Sequence, residues 1–163
     1  MSCRSFLERR ARLVVLIGGW IASAATAVAA PSAVLPFATH TWGELARSSW
    51  RPLAVVFSTT DCTHCPAVIA SLADAIRKSR SRVRLLVVVM DGAGQEEALR
   101  ADRHYRQAAG LYAFDGDAMA LRYQVNPAWR GLTPYVALIP ATGEAAFHTG
   151  APPAAALQSF LRP

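Results

Sequence analysis

Residues 53–79 read LAVVFSTTDCTHCPAVIASLADAIRKS, a stretch in which one kind of local pattern gives way abruptly to another. The run RPLAVVFS over 51–58 is compact, apolar and rich in β-branched residues, the pattern of a strand buried on its two faces. After the Cys-Thr-His-Cys tetrad, Val68, Leu72 and Ile76 fall at i, i+4 and i+8, which lines them along one face of a helix. Pro66 stands near the start of that helix, where its missing N–H costs nothing. A buried strand that turns within a few residues into a helix with one apolar stripe must lay that stripe on a sheet. The chain therefore belongs to the α/β class.

The rest of the chain repeats the alternation. VRLLVVVM (83–90) predicts a second buried strand and PYVALIP (134–140) a third. Between them lie a charged helical stretch (96–109), a short strand LYAFD (111–115) and a helix over 116–125 that Asn126-Pro127 ends. The turn ATGE leads to a weaker strand (145–150), and a last helix opens on proline. A short helix over 42–48 precedes the first buried strand, with Thr41 and Glu44 at capping-box spacing. Strands alternating with helices, closed by a hairpin and a helix, predict a single α/β domain with a mixed sheet.

The N-terminus has another character. Arg4, Arg9, Arg10 and Arg12 precede an uncharged apolar run over 13–30, which passes through Ala27-Val28-Ala29. A positive head, an apolar body and a small-residue end make a secretory signal. The run is 18 residues, at the lower limit of a membrane span, where about 20 are needed. Residues 1–30 are therefore read as a signal peptide, cleaved or retained as an N-terminal anchor, and 31–163 as the working domain. The predicted location is periplasmic. Of 17 basic and 11 acidic residues, 13 and 10 lie beyond residue 30, so the net charge of +6 falls to +3. No basic stripe interleaves with aromatics, and nucleic acid is not expected as a partner.

Export sharpens the reading of the cysteines. Cys3 belongs to the leader, which leaves Cys62 and Cys65. A bridge across so short a loop constrains the unfolded chain little, so the pair is read as chemistry, not as a staple. At a strand-to-helix junction, free N–H groups and the helix dipole favour an anionic sulfur. Cys62 is then the nucleophile and Cys65 the resolving thiol. His64 adds a donor or positive charge that favours the Cys62 thiolate, and a stabilised reduced form makes the disulfide more oxidising. Zinc also uses Cys-x-x-Cys, but it needs two further ligands. His40, His104 and His148 show no paired spacing and no second Cys-x-x-Cys follows, so redox chemistry is preferred.

Three blocks carry a resemblance: LAVVFSTTDCTHCP, VRLLVVVM and LYAFDGDAMALRYQVNPAWRGLTPYVALIPATGE. Over about residues 52–161 the chain resembles the thioredoxin-like family, and the last block resembles its TlpA-type periplasmic thiol-disulfide oxidoreductases. The resemblance implies a thioredoxin fold: a mixed central sheet flanked by helices, with a strand–helix insertion. It implies no cofactor, cysteine-containing periplasmic proteins as substrates, and a membrane redox partner that resets the pair. It makes Thr133-Pro134 the pair whose cis proline faces the cysteines and whose backbone meets an extended substrate segment. Trp129, just upstream, is read either as a further candidate for substrate contact or as an ordinary buried tryptophan.

Two positions depart from the family. Val56 stands where thioredoxin carries a buried acid, and Thr63-His64 stands between the cysteines where TlpA-type reductases more often have proline. These favour an oxidant, whereas the TlpA-like body favours a reductant. Asp61 is read as a helix cap that would oppose the thiolate if ionised. The alternative reading is a copper(I)-binding or copper-delivery protein of the same fold, with His148 or His104 as third ligand. The copper-handling relatives usually have three residues between the cysteines, where this chain has two.

Overall fold

The computed structural model describes residues 30–162. Residues 1–30, expected to be a signal or anchor and including Cys3, lie outside the described residues except for Ala30. Among the described residues no helix is long and apolar enough to cross a membrane.

The elements follow in the order β1 (Val34–Phe37), α1 (Thr41–Arg47), β2 (Leu53–Ser58), α2 (Cys65–Ser79), β3 (Arg84–Val89), α3 (Glu96–Ala101), a 3-10 turn (Tyr105–Gln107), β4 (Gly110–Phe114), α4 (Ala118–Val125), β5 (Tyr135–Ile139), β6 (Ala146–Thr149) and α5 (Ala154–Leu161). They build one six-stranded sheet in the order β1-β4-β3-β2-β5-β6. β2 runs parallel to β3 and antiparallel to β5, β5 pairs antiparallel with β6, and β1 and β4 run parallel with β3. A βαβ unit (β2-α2-β3) joined to a ββα unit (β5-β6-α5) is a thioredoxin fold, and β4-α4 is the expected strand–helix insertion.

Alternation along β2 explains its central place. Leu53, Val55 and Phe57 point into one apolar layer, with Phe37, Tyr112, Phe114, Trp129 and Tyr135. Ala54 and Val56 point into the other, with Val68, Ile69 and Leu72 of α2. Every residue of β2 is buried, which is why its sequence shows a continuous apolar run and not an alternating one. Phe57 is the hub of the aromatic layer: its ring meets Trp129 at 4.9 Å and Phe37 at 5.8 Å, the latter edge-on. Aromatic pairs of this kind contribute about 0.5–1.5 kcal/mol each beyond burial.

Three local expectations change. The capping box at Thr41 does not form. His40 occupies the cap position, and the Thr41 hydroxyl instead accepts the Ala38 N–H at 3.0 Å, closing the turn out of β1. The single helix expected over 96–109 is broken. Asp102 ends α3, and its carboxylate accepts the His104 N–H at 2.8 Å, a local bond that competes with helix continuation. β1 was not anticipated. It contains Pro36 and pairs only with β4, at the sheet edge where a missing N–H is tolerated.

The topology gathers three loops at one end of the sheet. β2 and β3 end side by side, with Ser58 opposite Val89. Tyr135 at the start of β5 lies opposite Phe57 near the end of β2. The loops 59–64, 90–95 and 126–134 therefore leave from or arrive at the same edge.

Candidate active site

Cys62 and Cys65 are joined as a disulfide with their Cα atoms 5.5 Å apart. The two ends of the bond differ in surroundings. Cys65 is the first residue of α2 and 1% exposed, whereas Cys62 lies in the loop and is partly accessible. Sequence reasoning placed Cys62 at the helix start; it precedes the first helical residue by a turn, stabilised by its N–H donating to the Thr59 carbonyl at 3.2 Å. Its sulfur nonetheless sits at the N-terminal turn of α2, because it is bonded to the sulfur of that helix's first residue. The unpaired N–H groups of that turn favour negative charge on either sulfur once the bond opens.

His64 holds the N-cap position of α2 and is exposed, and its side chain makes no capping bond. Asp61, expected as a cap, is exposed and does not fill that role; the backbone of His64 does, accepting the Val68 N–H at 3.3 Å. What holds the loop comes from β3. The Asp91 carboxylate accepts the Thr60 N–H at 2.9 Å and the Thr60 hydroxyl at 2.6 Å. Nothing local in the sequence marks Asp91 for this role.

Beneath the disulfide, Val56 is fully buried among aliphatic side chains of α2, β3 and β5. Among the described residues no acid is buried there to take a proton from Cys65. The polar groups on that side of the sheet are Ser58, fully buried with its hydroxyl donating to the Thr59 carbonyl at 3.1 Å, and the phenol of Tyr105. Burial pushes the Tyr105 phenol above its ordinary value, and the Ser58 hydroxyl offsets part of the shift. Tyr105 gave no sequence signal beyond one aromatic in a charged stretch.

The third loop brings in Thr133-Pro134, whose peptide bond is cis. Pro134 is buried and Thr133 partly exposed, and they lie beside the end of β2 from which the cysteine loop departs. The Pro134 carbonyl is taken by the Gly150 N–H at 2.7 Å, while among the described residues no backbone partner takes the Thr133 N–H or carbonyl. Leu132, just before, is 64% exposed and was not singled out from sequence.

Of the two readings of Trp129, the structure shows the buried tryptophan. It is 7% exposed, stacked on Tyr135 at 4.5 Å with the rings nearly parallel, and its indole N–H donates to the Leu132 carbonyl at 3.0 Å. It supports the loop from inside and offers a substrate almost no surface. The loop is further fixed by Asn126, whose side-chain N–H donates to the Tyr135 hydroxyl at 2.8 Å. Gly131 has φ +83°, a backbone conformation that residues with a Cβ rarely adopt, which favours glycine at this turn.

His148 and His104 do not join the cysteines. His148 lies on β6 opposite Val136, separated from β2 by β5. Among the described residues no three His, Cys, Asp or Glu side chains are grouped as metal ligands.

Fold and site together define a thioredoxin-fold protein carrying a Cys-x-x-Cys disulfide beyond the C-terminal end of a central strand. The chain matches no protein-family model and no curated protein. Among solved structures it is similar to a secreted Mycobacterium tuberculosis disulfide oxidoreductase homologous to E. coli DsbE. The identity is 17%, over 67% of this chain and 78% of that one, with a TM-score of 0.47.

Proposed function

We propose that the protein is an exported thiol-disulfide oxidoreductase of the TlpA type, acting on cysteine-containing periplasmic proteins. The observation that carries this reading is the asymmetry of the Cys62–Cys65 bond, one sulfur accessible and the other buried at a helix N-terminus. In the oxidised form, a substrate thiolate attacks the Cys62 sulfur and the Cys62–Cys65 bond breaks. The electron pair leaves on Cys65, held by the first turn of α2. A second substrate thiolate attacks the mixed disulfide at the substrate sulfur and expels Cys62 as thiolate. The substrate has lost two electrons and two protons, and the protein holds both cysteines reduced. The reverse sequence reduces a substrate disulfide, with Cys62 attacking and Cys65 resolving.

His64 serves beside Cys62 as donor or positive charge. Thr133 offers its unpaired backbone groups to an extended substrate segment, and Leu132 offers apolar surface beside it. A membrane redox partner restores the pair between turnovers, because an exported dithiol is cut off from cytosolic reductant. The copper reading is less favoured, because neither His148 nor His104, the histidines that could complete a site with the two thiolates, is grouped with the sulfurs.

The test is a Cys65→Ser variant incubated with disulfide-containing exported proteins. Without a resolving thiol the mixed disulfide on Cys62 persists, and a covalent adduct that dithiothreitol releases is the expected result. Absence of any adduct, from a variant that remains folded, overturns the reading.

A further inference from the structure

The charged residues are distributed unequally along the sheet axis. At the end where the parallel strands begin, opposite the disulfide, the chain carries Lys78 and Arg80 at the C-terminus of α2, Arg82 in the following loop, and Arg84 at the first residue of β3. These four are exposed, and among the described residues no carboxylate pairs with any of them. Arg77 nearby is paired with Asp74. Glu144, in the β5–β6 turn, is the other acid at this end. By contrast Asp61, Asp91, Asp115 and Asp117 follow the C-terminal ends of β2, β3 and β4, on the side of the redox site.

The C-terminus of α2 explains Lys78 and Arg80 locally, since basic residues there complement the dipole. It does not explain Arg82 or Arg84, nor the aromatic beside them. Trp50 is 49% exposed, and the Arg84 guanidinium sits over its ring at 5.2 Å. An exposed indole under an arginine that no carboxylate pairs, at a basic end of the molecule, is the composition of a surface that meets a lipid headgroup layer.

The chain outside the described residues points the same way. β1 enters the sheet at Val34 running parallel to β4, so the segment before it arrives at the strand-start end. Upstream of that segment lies the uncharged apolar run over 13–30. We propose that this basic pole, with Trp50 beside Arg84, docks on an anionic membrane surface and turns the Cys62–Cys65 end of the sheet away from the bilayer toward soluble partners. The inference rests on the charge distribution and the entry point of the chain, and holds whatever chemistry the cysteines perform.

The test uses the full chain reconstituted into vesicles of phosphatidylcholine alone, or of phosphatidylcholine and phosphatidylglycerol in equal parts, each carrying brominated lipids that quench nearby indoles. The Trp50 signal is the difference between the wild type and Trp50→Phe, which cancels Trp20, Trp42 and Trp129. Quenching of Trp50 is expected in the anionic vesicles only, and lost at high salt. It is also lost in Lys78→Gln/Arg80→Gln/Arg82→Gln, since each charge removed weakens surface attraction about fivefold. Equal quenching in neutral vesicles, or in the triple variant, overturns the proposal. So does an unquenched Trp50 in a protein that instead binds polyglutamate in a salt-sensitive way, which would assign the surface to an acidic protein. Disulfide exchange measured on the same variants reports on folding and on the cysteine chemistry separately.

Discussion

Cys62→Ser abolishes disulfide exchange with glutathione disulfide, leaving the rate of the uncatalysed mixture. Exchange requires an anionic sulfur that a partner can approach in line with the bond it breaks. Cys62 is the only one of the pair with accessible surface, since Cys65 is 1% exposed beneath the loop. A serine hydroxyl at position 62 is not ionised at neutral pH and does not attack sulfur. The remaining Cys65 thiol, buried in the first turn of α2, is shielded from glutathione by the loop that Asp91 and Thr60 hold in place. Stopped-flow or absorbance assays with the reduced variant measure this directly. A variant that keeps wild-type exchange would assign the attack to Cys65 and invert the proposed roles.

Trp129→Ala lowers stability by about 3–5 kcal/mol, the cost of removing a large side chain from a packed core, and slows exchange as well. Its ring stacks on Tyr135, packs against Phe57, and donates to the Leu132 carbonyl one residue before Thr133. Removal opens a void in the aromatic layer and frees the segment that carries Thr133-Pro134. Trp129→Phe separates the two effects. It keeps a ring for stacking and loses the indole donor, and should cost less stability, about 0.5–1.5 kcal/mol for the bond. Denaturant midpoints check the stabilities, and exchange rates on the folded variants check the loop. A Trp129→Ala protein with wild-type midpoint and wild-type exchange would mean that the tryptophan supports nothing.

How far the sequence discloses this molecule depends on the range of the interactions. β2, β3 and β5 are legible because they are buried on two faces, so each is a continuous apolar run. Cys62 and Cys65 are legible because the strand before and the helix after them are local patterns. β1 is not, because an edge strand needs little apolar content, and VLPF owes its place to pairing with β4, far along the chain. The split of the charged helix at Asp102 hangs on a single side-chain bond to His104. The Asp91–Thr60 tie spans 31 positions, with no local trace at either residue. Trp129 was marked from its nearness to Thr133 in sequence. Its nearness is real, but its side chain faces the aromatic layer, a direction that proximity alone does not give.

The account turns on an unequal pair of thiols, one that attacks and one that resolves. The most direct measurement reduces the wild-type protein, treats it with limiting iodoacetamide near neutral pH, and maps the label by peptide mass. The predicted result is carbamidomethyl on Cys62 with Cys65 unmodified, because only the first sulfur is open to the reagent and both favour the thiolate at the start of α2. Label on Cys65 first, or on the two cysteines at equal rates, would contradict the account.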